Sequence, residues 1–310
     1  MSGEYRLTGH LAAAFTIFIW GITFVSTKIL LDVFSPIEIL VFRFVIGYLA
    51  LTLVYPRRMG LRSWAEERLM MAAGLCGVTL YFLLENIALT YTYASNVGVI
   101  ISIAPFFTAI LAHFFLDGEK LSLNFFIGFL AAIIGIFLIS FNGIGIMVLQ
   151  LNPIGDLLAL LAAGVWAVYS VLTRKISGLG YHSIQTTRRI FFYGLLFMLP
   201  ALPFFDVNWS LKPLTQPVYF FNLLFLGLLA SALCFVTWSL AVKRLGATKT
   251  TVYIYLVPVI TVATSVLILK ERLTGLAVLG IGLTLLGLII SEKQSAPGKN
   301  RMTEKTEKIS

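Results

Sequence analysis

Ten apolar runs of bilayer-crossing length leave this sequence almost no alternative to a helical fold embedded in lipid. They cover residues 8 to 28, 36 to 54, 69 to 91, 96 to 116, 122 to 141, 154 to 173, 184 to 203, 218 to 242, 249 to 269 and 274 to 290. About 20 apolar residues cross the hydrocarbon core as a helix. Within lipid, a helix lets a single run satisfy its own backbone N–H and C=O groups. The 310 residues are 59% hydrophobic and only 12% charged, against about a quarter charged in soluble domains. The gaps 55 to 68, 142 to 153, 174 to 183 and 204 to 217 are too short to fold alone. The polar residues from 292 to 310 read as a disordered cytoplasmic tail.

The runs are written twice. "GEKLSLNFFIGFLAAIIGIFLI" (118 to 139) returns as "ERLTGLAVLGIGLTLLGLII" (271 to 290), with Gly128 and Gly135 matched by Gly280 and Gly287. A shift of 146 lays Trp20 on Trp166, Lys28 on Arg174 and Arg43 on Arg189; a shift of 153 lays Pro105 on Pro258. Residues 1 to 141 and 154 to 291 thus read as two copies of one five-helix unit. Five is odd, so the second copy enters the membrane from the opposite face. The expected architecture is two inverted five-helix repeats around a central cavity, the arrangement that provides two nearly equivalent states, each open to one side.

The net charge of +9 does not indicate nucleic acid, because the basic residues sort by side of the membrane. With the N-terminus inside, the inner segments hold Arg57, Arg58, Arg62, Arg68, Arg174, Lys175, Lys243, Arg244 and the basic tail, while the outer ones hold Lys28, Lys212, Lys270 and Arg272. Both termini are expected in the cytoplasm, of a cell (inner) membrane protein. The first run ends without a small-residue cleavage site, so it is expected to remain in the membrane. Cys76 and Cys234 lie in apolar runs and read as small buried hydrophobes.

The stretches "WGITFVSTK", "VFRFVIG", "ALTYTYASNVGVIISIAPFFTAILA" and "GEKLSLNFFIGFLAAIIGIFLI", with "LVPVITVATSVLILKERLTGLAVLGIGLTLLGLII" in the second half, resemble the EamA-type, ten-helix branch of the drug/metabolite transporter superfamily. The resemblance covers the chain except its tail. It implies a basket-shaped bundle whose cavity is formed mostly by helices one, three, four, six, eight and nine. Export or exchange of amino acids and similar metabolites is common in such proteins.

Polar and aromatic residues inside the runs are the candidates for function. Pro105 and Pro258 fall mid-span, where each removes a backbone donor and bends its helix; they read as hinges, or as passive packing kinks. Trp20 and Trp166 lie too deep for an interfacial belt. Thr23, Tyr169 and Ser170 lie within a turn of them, and Trp238, Tyr253 and Tyr255 add further amphipathic rings. Together they suggest a pocket for a small amphipathic molecule, with aromatic core packing as the plainer alternative. Tyr81, Glu85 and Asn86 form the sharpest polar group. Intramembrane acids are costly and usually directed inward, so Glu85 is the first candidate for binding a coupling proton or cation. It also lies about 24 Å along its span, near enough to the outer interface to be merely hydrated. Arg43 and Arg189 read as structural clamps, with Glu38, Asp32 and Glu85 as open choices of partner. Glu119 and Glu271 read as helix caps.

An enzyme is not indicated: GxSxG, HExxH and GxxxxGK[ST] are all absent, and three histidines lie scattered. No motif calls for a cofactor or a metal. The remaining reading is a secondary transporter, an exporter or exchanger of amino acids or related small metabolites. Its partners are a small-molecule substrate, the lipid bilayer and a coupling proton or cation; the sequence sets no oligomeric state. The alternatives are a sugar-phosphate or other organic-anion exchanger, for which central Lys and Arg residues are scarce, and a passive facilitator channel.

Overall fold

In the computed structural model, residues 2–57, 59–60, 63–91, 94–116, 123–140, 153–269 and 275–292 are described. The residues 117–122 and 270–274, with Glu119 and Glu271, and the expected tail beyond 292 lie outside them. All regular structure among the described residues is helical. The helices are α1 (Ser2–Leu30), α2 (Pro36–Val54), α3 (Trp64–Tyr91), α4 (Ala94–Ile101), α5 (Ala104–Phe115), α6 (Leu123–Ser140), α7 (Pro153–Gly178), α8 (Ser183–Met198), α9 (Pro217–Leu245), α10 (Ala247–Val252), α11 (Leu256–Leu269) and α12 (Gly275–Glu292). By length and composition, α2, α3, α7, α9 and Glu4–Leu30 of α1 can cross a membrane.

Runs four and nine are interrupted more sharply than a simple kink. The helix stops at Ile101 and restarts at Ala104; the second break is a 3-10 turn, Tyr253–Tyr255, between α10 and α11. Each break lies just ahead of its proline, Pro105 or Pro258, because the missing N–H and the ring's clash with the preceding turn are least costly where a helix starts. A second interruption comes in pairs too. Within α3, Leu75–Leu80 is a π segment, and within α9, Phe225–Leu233 is another. These lie at corresponding places under the 153-residue shift. A π turn takes up an extra residue and re-aims every side chain after it.

The duplication is visible in chemistry as well as sequence. At the end of α1, Lys28 Nζ donates to the Leu89 carbonyl, 2.7 Å away, at the end of α3. At the end of α7, Arg174 reaches the Val242 and Lys243 carbonyls near the end of α9, at 3.5 and 3.1 Å. Both basic residues thus bond carbonyls in the last turn of a helix, and Leu89 and Val242 are matched by the same 153-residue shift.

The glycine pairs read from the sequence meet face to face. A Cβ on Gly128 would fall 2.5 Å from the Gly287 carbonyl, and one on Gly135 would fall 2.6 Å from the Gly280 carbonyl. As residue numbers rise along α6 they fall along α12, so the two helices cross antiparallel and in backbone contact, the close approach that small residues permit. Likewise the start of α1, at Gly9, packs on Leu245 at the end of α9. The two cysteines are free thiols, Cys234 buried and Cys76 half-buried.

Candidate functional site

Helices α1, α3, α4, α7 and the α10–α11 break converge on an enclosed space lined by Ile17, Trp20, Thr23, Phe24, Tyr81, Phe82, Glu85, Ile101, Trp166, Ile254 and Val257. Its volume is about 30 Å³, enough for a water and far below the roughly 300–1,000 Å³ of small-molecule pockets. The cavity is contracted, and a solute larger than water enters only if its walls separate.

Its wall is aromatic. Trp20 meets Trp166 edge-on, with centroids 5.1 Å apart, and Trp238 lies 5.1 Å from Trp20 and 5.8 Å from Trp166. Tyr81 is 4.7 Å from Trp166. The two indoles matched by the 146-residue shift differ in one respect. Trp20 Nε1 donates to the Ala230 carbonyl at 2.9 Å, inside the π segment of α9 where the helical ladder is disturbed. The Trp166 and Trp238 Nε1 donors are buried and have no partner among the described residues.

Glu85 is 3% exposed and faces the cavity rather than the outer surface of the protein. One carboxylate oxygen, Oε2, has no hydrogen-bond partner among the described residues. Tyr81, one turn earlier, and Arg43 of α2 are the polar groups that act on it. Arg43, 1% exposed, lies behind the cavity wall: its guanidinium stacks 4.3 Å from the Phe82 centroid, and Nε donates to Ser231 Oγ at 3.0 Å. A second candidate acid, Glu38, is committed elsewhere. Glu38 Oε2 accepts from the Ser35 N–H, and Oε1 accepts from the N–H groups of Asn208 and Trp209. Arg189 pairs with Glu67 at 2.6 Å.

Of the candidate residues, Trp20, Thr23, Tyr81, Glu85 and Trp166 line the cavity. Tyr169 and Trp238 form a layer behind Trp166, and the Tyr169 ring packs where Gly77 has no side chain. Ser170 donates to the Trp166 carbonyl, and Asn86 to the Pro36 carbonyl. Tyr253 bonds His10 at 2.6 Å, a contact that gives His10 a role its near-terminal position did not suggest. Tyr255 is packed with Ala109, Phe125 and Val252 away from the cavity. The sequence reading missed the apolar half of the wall, Ile17, Phe24, Phe82, Ile101, Ile254 and Val257. A side chain's facing depends on the π turn in α3 and the breaks in runs four and nine, which apolar periodicity does not register.

The sequence pattern of the EamA-like transporter family matches residues 7–141 and again 153–292. Among similar proteins, a probable terminal-alkyne amino-acid exporter of Streptantibioticus cattleyicolor is 27% identical, covering 92% of this chain and 93% of its own. A probable amino-acid metabolite efflux pump of Escherichia coli K12 is 25% identical, covering 90% and 93%. An uncharacterized transporter of Archaeoglobus fulgidus is 28% identical, covering 91% and 96%. One solved crystal structure, 19% identical, superposes with a TM-score of 0.74 over 92% of this chain and 97% of its own, a likeness of fold.

Proposed function

This chain belongs to the EamA-like transporter family and is a multi-pass membrane protein that carries small molecules; from that premise we propose that it exports or exchanges amino acids or related small metabolites by alternating access. The observation that carries the proposal is the cavity itself, in which a buried carboxylate with an unmatched oxygen adjoins an aromatic and aliphatic wall. Glu85 and the indole faces of Trp20 and Trp166 suit an ammonium group. Ile17, Phe24, Ile101, Ile254 and Val257 suit an apolar side chain. Among the described residues no Lys or Arg lines the cavity, which favours this cargo over a sugar phosphate or other organic anion. The names of two relatives, an amino-acid exporter and an amino-acid metabolite efflux pump, support the same class.

In this reading the chain is ten helices in two inverted units, 1–141 and 154–291, in the cell membrane with both ends cytoplasmic. The antiparallel crossing of α6 with α12 supports inversion, and the matched clamps of Lys28 and Arg174 support the duplication. The breaks ahead of Pro105 and Pro258 serve as hinges that let the contracted cavity open to either side. Glu85 exchanges a coupling proton or cation with the substrate.

The test is reconstitution in liposomes with labelled amino acids, sugar phosphates and cationic drugs, with and without a proton gradient. Saturable counterflow of amino acids is expected; flux without saturation or counterflow would establish a channel instead. Glu85→Gln is expected to abolish gradient-driven accumulation and, at saturating substrate, to spare exchange. Accumulation at the parent rate in that variant would remove Glu85 from coupling.

A further inference from the structure

A second concavity lies outside the bundle, between the end of α2 and the start of α8, and is lined by Tyr48, Thr52, Pro56, Met59, Gln185, Arg188, Arg189 and Phe192. Its volume is about 430 Å³, more than ten times that of the central cavity. We propose that this groove binds the headgroup of one anionic phospholipid, whose acyl chains run along the exposed apolar seam of α2 and α8.

The groove has the two chemistries such a ligand needs. At its head Arg188 is fixed by its own bonds, NH1 donating to the Tyr55 carbonyl and NH2 to the Arg57 carbonyl, both at 2.6 Å. A guanidinium carries five N–H donors, so these two bonds orient it and leave others for a phosphate oxygen, the fork geometry that suits phosphate. Arg189 is one residue away, and Arg57 is exposed beside it. The facing acid, Glu67, is already paired with Arg189, so the head of the groove retains positive charge. Arg188 is five residues into α8, on the order of 7 Å at the helical rise, and α2 ends at Val54. In the proposed topology both positions lie at the cytoplasmic ends of their helices, where headgroups would be met. Below it, Leu49 and Leu53 of α2 and Phe192 and Leu196 of α8 are exposed apolar side chains. Basic pockets between membrane helices are suited to anionic headgroups.

The fold does not by itself demand these charges. Under the 146-residue shift that matches Arg43 with Arg189, the counterpart of Arg188 is Phe42, which packs edge-on against Trp209 with centroids 5.8 Å apart. The other copy sets an aromatic pair there, and the concavity of about 360 Å³ beside it, at the start of α2, holds Lys212 together with Glu38 in place of an arginine cluster. A basic groove on one side only is what selection for a leaflet's lipid would leave.

The experiment uses the full chain purified in mild detergent and titrated with phosphatidylglycerol, phosphatidylcholine or soluble glycerol 1-phosphate. Native mass spectrometry would read retained lipid, and a melting curve would read protection. Retention of one phosphatidylglycerol and a raised melting temperature are expected, with at least a tenfold preference over phosphatidylcholine and no protection by glycerol 1-phosphate. Arg188→Gln is expected to lose the adduct. Because that change also frees the Tyr55 and Arg57 carbonyls, Thr52→Glu provides a second variant that sets a carboxylate in the groove and leaves Arg188 bonded. Equal retention of phosphatidylcholine, or adducts unchanged in Thr52→Glu, would overturn the proposal. Protection by glycerol 1-phosphate would assign the groove to a soluble phosphate instead.

Discussion

Replacing an indole N–H by sulfur, with 3-benzothienylalanine, changes one donor and almost nothing of shape, so it isolates the difference between Trp20 and Trp166. At Trp20 the substitution removes a 2.9 Å bond to the Ala230 carbonyl. Interhelical bonds inside membrane bundles contribute about 0.6 kcal/mol on average, with about 1.7 at the top of the range. This one should fall toward the upper end, since the acceptor lies in a π segment. At Trp166 the donor is buried and unpartnered among the described residues, and an unmade buried bond costs about 1–3 kcal/mol. Sulfur at that position should therefore leave stability unchanged or raise it by up to about 1 kcal/mol. A loss is therefore expected at Trp20 and none at Trp166. If the Trp166 donor is reserved for solute, the same replacement should weaken substrate binding by about 1 kcal/mol, roughly fivefold in Kd. Equilibrium unfolding in mixed micelles gives the first quantity and counterflow competition the second. Equal destabilisation at both positions would refute the assignment of the two indoles.

Three further outcomes follow from the packing. Arg43→Met should cost on the order of 3 kcal/mol by leaving the buried Glu85 carboxylate without its nearby cation, and adding Glu85→Gln should restore most of it; strict additivity in micelle unfolding would show the two groups to be independent. Glu38→Ala removes the acceptor for three backbone N–H groups, including that of Trp209, whose φ of 47° is unusual for a side-chain-bearing residue. It should cost about 2–3 kcal/mol and speed hydrogen exchange across 205–216, and exchange unchanged there would count against the carboxylate as that segment's anchor. Gly135→Leu drives a Cβ to 2.6 Å from the Gly280 carbonyl, so α6 and α12 must separate at a cost of at least about 1–3 kcal/mol, readable as a lower melting temperature; a tolerated leucine would mean the crossing is looser than it looks.

The parts of this structure that were legible in the sequence are those set by composition and repetition. Apolar length marked α1, α2, α3, α7 and α9, and the repeat matched Gly128 with Gly280 and Lys28 with Arg174, but not the Gly128–Gly287 contact or the carbonyls the two basic residues reach. Proline predicted a disturbance at 105 and 258, but not that the chain would break three residues earlier. The π segments escaped because nothing in their local sequence dictates an extra residue per turn. They are held by tertiary contacts: Thr79 Oγ1 donates to the Gly194 carbonyl at 2.8 Å, and the Tyr169 ring fills the space over Gly77. For the same reason Tyr255 read as a cavity residue yet packs against Phe129, since a 3-10 turn rotates it away from where a continuous helix would have pointed it.

These irregularities are not scattered. Among the described residues, the two π segments, the two breaks ahead of proline, the unpaired indoles and Glu85 all belong to the elements at or next to the contracted cavity, whereas α6 and α12, whose backbones touch, contribute nothing to its wall. A regular α-helix in lipid resists bending because each opened hydrogen bond has no water to replace it. A helix already interrupted at a break or a π turn has fewer bonds to lose there. Movement that opens the cavity should therefore concentrate at 101–104, 253–256 and the π turns, with the glycine crossing and the Lys28 and Arg174 clamps moving as fixed units. Spin-label distances across α6 and α12 should then stay constant when substrate is added, while distances from α4 to α7 change; the reverse pattern would place the hinge elsewhere and leave the prolines as packing features.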